Sequence, residues 1–196
     1  MAATQSRREQ THARIVGAAA RAIRRAGYQG VGVADIMKEA GLTHGGFYAH
    51  FANRDALLVE AIEHAGAAGM QNLVDATARR EARGTSRFKA LVSSYLADRH
   101  IAAVEEGCPI SALLSEMPRQ SPEVQAASRR RIQGFVAAVR ERLPAGAPAD
   151  AAETLASTLV GALQLARALG DNPQGRGFLA SQRAALLAAY EGENRS

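Results

Sequence analysis

The sequence predicts an all-α fold: a small N-terminal three-helix head carrying a helix-turn-helix, joined to a larger C-terminal helical domain. Three observations predict the helices. Apolar residues recur at three- and four-residue spacing along almost the whole chain, alanine dominates the composition, and aromatic residues make up only 5 % of it. With 196 residues and 47 % hydrophobic content the chain can bury a substantial core. No run of eighteen apolar residues suggests a membrane span, and the opening MAATQSRREQTHAR has no apolar stretch to serve as a secretory signal, so a cytoplasmic protein is expected. The single cysteine excludes an internal disulfide.

Charge divides the chain unevenly. Residues 1–55 hold eight Lys/Arg and four acids, a net +4, which leaves only +1 for the other 141 residues. A basic first quarter on a nearly neutral remainder fits a nucleic-acid-binding end attached to a domain with another task.

In the first helix Ile15, Ala18, Ala19, Ala22, Ile23 and Ala26 form one stripe, Arg14, Arg21 and Arg25 lie off it, and Gly27 supplies a stop. A short second helix from about Val33 to Ala40 buries Val33, Ile36, Met37 and Ala40 and ends at Gly41. Thr43 is the natural N-cap of a third helix, its side-chain oxygen accepting a backbone N–H. Two short helices joined by a glycine-containing turn after a longer helix is the helix-turn-helix layout, whose second short helix enters the DNA major groove. On that helix Phe47 and Phe51 are expected to anchor the core, while Gly45 and Gly46 let the backbone approach DNA. Thr43, His44, Tyr48 and His50 are expected to face outward.

The stretch AGLTHGGFYAHFANRDALL, within residues 11–62, resembles TetR-type transcriptional regulators. The resemblance implies that Thr43, His44, Gly45 and Gly46 sit nearest the bases, with Tyr48, His50 and Arg54 on phosphates and Lys38 in the same DNA-facing set. At the cap of the second helix, where such regulators carry Ser or Thr, this chain has Gly32, which offers no side-chain contact to a phosphate. The resemblance further implies a homodimer built from the last two helices, double-stranded operator DNA as partner, and repression relieved by an effector. It implies no cofactor, no bound metal and no membrane partner.

The expected division places the DNA-binding domain at residues 1–52 and the effector-binding and dimerisation domain at 53–196. The fourth helix is expected to start at an Asn53 cap and to carry Leu58, Ile62, Ala65, Gly69 and Leu73 as one stripe. Breaks at Gly84, Gly107-Cys108-Pro109, Pro118 to Pro122, Pro144 to Pro148 and Asn172-Pro173 partition the remainder into about five more helices. The last two, about 149–170 and 175–191, are dense in small residues, among them Gly161, Ala162, Ala166, Ala184, Ala185 and Ala188, which allow close helix approach.

Two readings of the effector are open. Helical phase places Tyr95, Leu96, Phe135, Val139, Leu163 and Gln164 around a pocket for a reversible small molecule. Alternatively, Cys108 precedes Pro109, a residue favoured at the first position of a helix, so its sulfur sits at an N-cap, where the dipole favours a thiolate, with Arg167 a candidate cation nearby. That reading makes oxidation or an electrophile the signal. Cys108 with His100 or His64 also suggests a nucleophile and base, but no oxyanion-forming loop, phosphate-binding glycine motif or carboxylate pair accompanies them, and an enzyme is not expected.

Overall fold

The computed structural model describes residues 6–191, and every regular element within them is helical. Helix α1 spans Arg7–Ala26 and opens on a capping box: the Ser6 hydroxyl accepts the Glu9 N–H at 3.2 Å, and the Glu9 carboxylate accepts the Ser6 N–H at 2.7 Å. It closes at Gly27, whose φ of 77° and tight surroundings both require glycine, since a Cβ there would lie 2.4 Å from Glu116 Oε1. Glu116 Oε2 accepts the N–H of the next residue, the fully buried Tyr28, at 2.9 Å. Helix α2 spans Val33–Glu39. Its Gly32 cap forms half of a capping box, the backbone N–H donating to Asp35 Oδ2 at 3.2 Å.

The expected third α-helix is instead a 3-10 helix over His44–Ala49. Six residues that include Gly45 and Gly46 have too little helix propensity to favour the wider α turn, and i→i+3 bonds close the segment. Thr43 stands at its cap position, but its hydroxyl makes no capping bond, contrary to expectation; the Gly46 N–H goes to the Thr43 carbonyl at 3.1 Å.

Asn53 caps α3, Arg54–Glu81, its Oδ1 accepting the Ala56 N–H at 2.8 Å. At 1.5 Å per residue these 28 residues extend about 42 Å, enough to join head and body. The rest of the chain is more divided than five helices. It comprises α4 Arg87–Tyr95, α5 Arg99–Ala102, α6 Pro109–Leu113, a 3-10 turn Met117–Arg119, α7 Pro122–Arg140, α8 Ala151–Leu169 and α9 Pro173–Glu191. Gly107, Pro109 and Pro118 cut the stretch between α4 and α7 into short pieces.

Two apolar clusters hold these helices. The head cluster gathers Ile15, Ala19, Ile23, Ile36, Met37, Phe47 and Phe51, together with Leu58 and Ile62 of α3 and Leu113, Met117, Val124 and Ala127 from α6 to α7. Phe47 and Phe51 stack at 5.5 Å, and each buried ring contributes about 1.5–3 kcal/mol relative to an exposed one. The body cluster gathers Phe88, Leu91, Tyr95, Phe135, Leu155, Leu159, Leu163 and Leu179. Ile132 of α7 packs against both. Among the described residues no helix is long and apolar enough to cross a membrane.

Candidate nucleic-acid interface and ligand cavity

The two buried phenylalanines fix which side of the 3-10 segment is turned away from the protein. Thr43, His44 and Gly45 are exposed, Gly46 is half-buried, and Tyr48 is 72 % exposed while its ring meets Phe47 edge-on at 5.2 Å. A large aromatic left this open carries a phenol at the edge of a basic surface, an arrangement suited to phosphate contact. Lys38 is exposed in the last turn of α2. Arg8, which sequence reasoning passed over, ties α1 to this segment by donating to the Ala49 carbonyl at 3.0 Å.

Two residues of the expected DNA-facing set are placed less simply. His50 is half-buried, tilted against His12 and Phe51, and its Nδ1 is sealed without a hydrogen-bond partner. Burial, then the neighbouring His12 and Arg8 charges, lowers its pKa below the ordinary histidine value. Arg54 directs Nη2 to the carbonyls of Tyr28 and Val31, bracing the turn between α1 and α2. Its Nε and Nη1 have no partner among the described residues.

In the body, α3, α4, α5, α7, α8 and the 103–110 segment enclose a cavity of about 590 Å3, within the usual range for small-molecule sites. Tyr95, Phe135 and Leu163 line it as expected. Leu96, Val139 and Gln164 do not: Leu96 and Val139 are fully buried in the body cluster, and Gln164 is half-buried on a part of α8 that the cavity does not reach. Helical phase separates inward from outward positions, but it does not separate packed core from open cavity. Gly69 and Gly134 carry the signal that apolar phase lacks: they line the cavity from α3 and α7, and a Cβ on Gly134 meets no atom within 4 Å, whereas at Gly66 the Arg131 side chain fills the space.

Cys108 lies in the cavity wall at the N-cap of α6. Arg167 is its neighbour as expected, held by Nε to the His100 carbonyl at 3.1 Å and Nη1 to Ser111 Oγ at 3.1 Å. Arg167 Nη2 and the Tyr95 hydroxyl are both buried without a hydrogen-bond partner. Burial first, then Cys108, pushes the Tyr95 phenol well above its ordinary value. On the other side of the same segment Arg24, 7 % exposed and overlooked in the sequence, donates to the Gly107 carbonyl at 3.0 Å and to the Ala20 carbonyl at 2.9 Å. Arg25 bridges Glu39 of α2 at 2.8 Å and Glu105 at 3.1 Å. The cavity wall and the end of α1 are therefore bonded directly. Among the described residues no group of three or more His, Cys, Asp or Glu side chains is placed to hold a metal ion.

Comparison with known proteins agrees with this geometry. The profile of bacterial regulatory proteins of the tetR family matches residues 15–61, the span from the α1 stripe to the first turns of α3. The HTH-type transcriptional regulator LmrA of Bacillus subtilis (strain 168) is 27 % identical over 154 residues, covering 76 % of this chain and 80 % of that protein. Among solved structures, the reduced form of E. coli NemR superposes with a TM-score of 0.72 at 19 % identity, over 90 % of this chain and 95 % of that one. SCO4454, a TetR-family transcriptional regulator from Streptomyces coelicolor, gives 0.71 at 22 % identity over 93 % and 96 %. At these identities the structural likeness establishes the fold.

Proposed function

We propose, from the premise that this chain belongs to the tetR family of bacterial regulatory proteins, that it is a homodimeric repressor released from operator DNA by a small molecule bound in the body cavity. One observation carries the effector reading: the cavity shares its walls with the two segments that hold the head, namely α3 and the 103–110 segment bonded to α1 through Arg24. A ligand that favours a different packing of those walls shifts the head by its differential affinity for the two arrangements.

In this reading Thr43, His44, Gly45 and Gly46 face the bases, and Tyr48, His50, Lys38, the Gly32 backbone and the free edge of Arg54 face phosphates. The division at residue 53 assigns reading to the head and sensing and dimerisation to the body. The outer face of α8 and α9 supports the dimer. Leu165 is 57 % exposed there, and Ala184, Ala185 and Ala188 are exposed, whereas Ala162 and Ala166 turn inward to the body cluster.

Selection of duplex DNA from a random library at graded salt tests the core of the proposal. The expected result is an enriched palindrome whose binding falls steeply with salt as phosphate contacts release counterions. Tyr48→Phe should weaken binding to all sequences alike and His44→Ala should alter base preference; no enrichment at any salt refutes DNA reading.

A second reading, modification of Cys108 by an oxidant or electrophile, is favoured by the two buried donors near the sulfur that lack a partner, Arg167 Nη2 and the Tyr95 hydroxyl. Release from the selected operator by a quinone, abolished in Cys108→Ser, is its expected signature. Release that survives the substitution removes it.

A further inference from the structure

The cavity carries charges of both signs: Asp75, Arg79, Arg99, Glu106 and Glu141 are exposed at its rim, and the half-buried Arg131 is already neutralised by Glu63 at 2.9 Å. Its inner wall is apolar and aromatic, with Tyr95 and Phe135 paired at 5.1 Å between ring centroids. The unpartnered Tyr95 hydroxyl is sealed, which leaves His100 as the inner polar side chain with an open position. His100 Nδ1 lies 2.8 Å from the Tyr95 carbonyl oxygen, and because a carbonyl accepts, Nδ1 must carry the proton. Burial lowers the imidazole pKa, the bond to Tyr95 opposes that, and the Arg99 and Arg167 charges lower it again. The ring is therefore neutral near pH 7, and its other nitrogen, Nε2, is left as a bare acceptor. Nε2 is not among the sealed atoms and has no partner among the described residues.

The nearest buried cation does not compete for this position. Arg167 does not line the cavity: Nε and Nη1 are held by the His100 carbonyl and Ser111 Oγ, and its unpartnered Nη2 is sealed. An anionic head group placed against the inner wall would meet the His100 lone pair, and a ligand without a donor would leave that lone pair desolvated. The geometry points to an uncharged aromatic effector that donates a hydrogen bond, from a hydroxyl or N–H, to His100 Nε2 while its ring packs against Tyr95 and Phe135. This assignment rests on the effector reading above and specifies the ligand class of that site.

Three naphthalene probes test it on the full chain, which lacks tryptophan and so leaves naphthalene fluorescence readable. 2-Naphthol donates a hydrogen bond, 2-methoxynaphthalene is its donor-free ether, and 2-naphthoate is the anion. The naphthol should bind more tightly than the ether by roughly three- to tenfold, the worth of one net hydrogen bond, and the naphthoate should bind most weakly. His100→Asn retains an N–H for the Tyr95 carbonyl and removes the distal acceptor, so it should abolish the preference without weakening the ether. His100→Gln places an amide oxygen near the Nε2 position and should retain part of it.

Equal binding of naphthol and ether, tighter binding of naphthoate, or a preference that survives in His100→Asn overturns the assignment while leaving the cavity as the effector site. Binding of none of the three overturns the assignment and the cavity reading together. The wild-type comparison is decisive even if neither variant folds.

Discussion

Gly134 gives the sharpest test of the cavity. It lies in the middle of α7, lines the cavity, is solvent-accessible, and a Cβ built on it meets no atom within 4 Å. Replacing it with alanine therefore introduces no clash and removes the conformational penalty of a helix-interior glycine, a gain of about 1 kcal/mol. For a chain of this size that corresponds to a rise in Tm of about 2–4 °C. Gly134→Phe extends the same vector into the space between α7 and α3, so it should block naphthol binding while leaving operator affinity intact. Gly66, on the facing stretch of α3, supplies the contrast. A Cβ there falls 2.2 Å from Arg131 Cδ, so even Gly66→Ala must displace that side chain and disturb its 2.9 Å ion pair with Glu63. Thermal unfolding of both alanine variants and fluorescence titration of Gly134→Phe make the measurement. A fall in Tm for Gly134→Ala, or unchanged naphthol affinity in Gly134→Phe, refutes the reasoning from open space.

Three further perturbations probe other parts of the structure. Arg24→Met keeps the aliphatic bulk of a buried side chain but removes its bond to the Gly107 carbonyl; urea unfolding should show a loss of about 1.5–3 kcal/mol, and an unchanged midpoint would show that the link contributes nothing. His100 has a folded pKa depressed below 6.5, so the unfolded chain takes up its proton first and this residue's contribution to stability is lost as pH falls from about 6.5 through the folded value. His100→Asn should therefore narrow the Tm difference between pH 7 and pH 5, and an unaltered difference would contradict the neutral-imidazole assignment. Leu165→Glu places a charge on a position already 57 % exposed, so sedimentation should show a well-folded monomer; a dimer that survives it would move the interface elsewhere.

What the sequence revealed follows from the range of the forces involved. The α1 stripe from Ile15 to Ile23, the Gly27 and Gly41 stops, the Asn53 cap and the burial of Phe47 and Phe51 are set by neighbours within a turn or two and are legible in the sequence, whereas Ala26, at the end of that stripe, is exposed. The shortening of the recognition segment to a 3-10 helix was partly legible in Gly45 and Gly46, whose low propensity the sequence displays. Arg24 was not, because its partner Gly107 is 83 residues away and a basic residue between stripe positions reads as solvent-facing. The same limit hides from the sequence that Leu96 and Val139 are packed core and not cavity lining. Their burial is set by their own helices, whereas the cavity is set by small residues on α3 and α7, far apart in sequence and opposed in space.

The links between cavity and head differ enough in strength to decide which can carry a signal. A switch from 99:1 to 1:99 needs about 5.5 kcal/mol of differential binding. The Arg25 bridges to Glu39 and Glu105 are about half exposed on the arginine side, and such surface pairs contribute about 0–1 kcal/mol each. The buried Arg24 bond to Gly107 contributes about 1.5–3 kcal/mol at most and is a single contact. Neither suffices alone. The remaining route is α3 itself, which lines the cavity from Gly66 to Arg79 and buries Leu57, Leu58, Ala61, Ile62 and Ala65 in the head or beside it. Leu57, Leu58 and Ile62, fully buried on that helix and each worth about 1.5–3 kcal/mol in burial, set a ceiling on the coupling that reaches the required range. Under the proposed mechanism, then, Arg24 and Arg25 set the resting register of α1 against the cavity wall, and displacement of α3 by the ligand supplies most of the switching free energy. It follows that Arg24→Met should shift the threshold for release without abolishing it, whereas filling the α3 face of the cavity should abolish it.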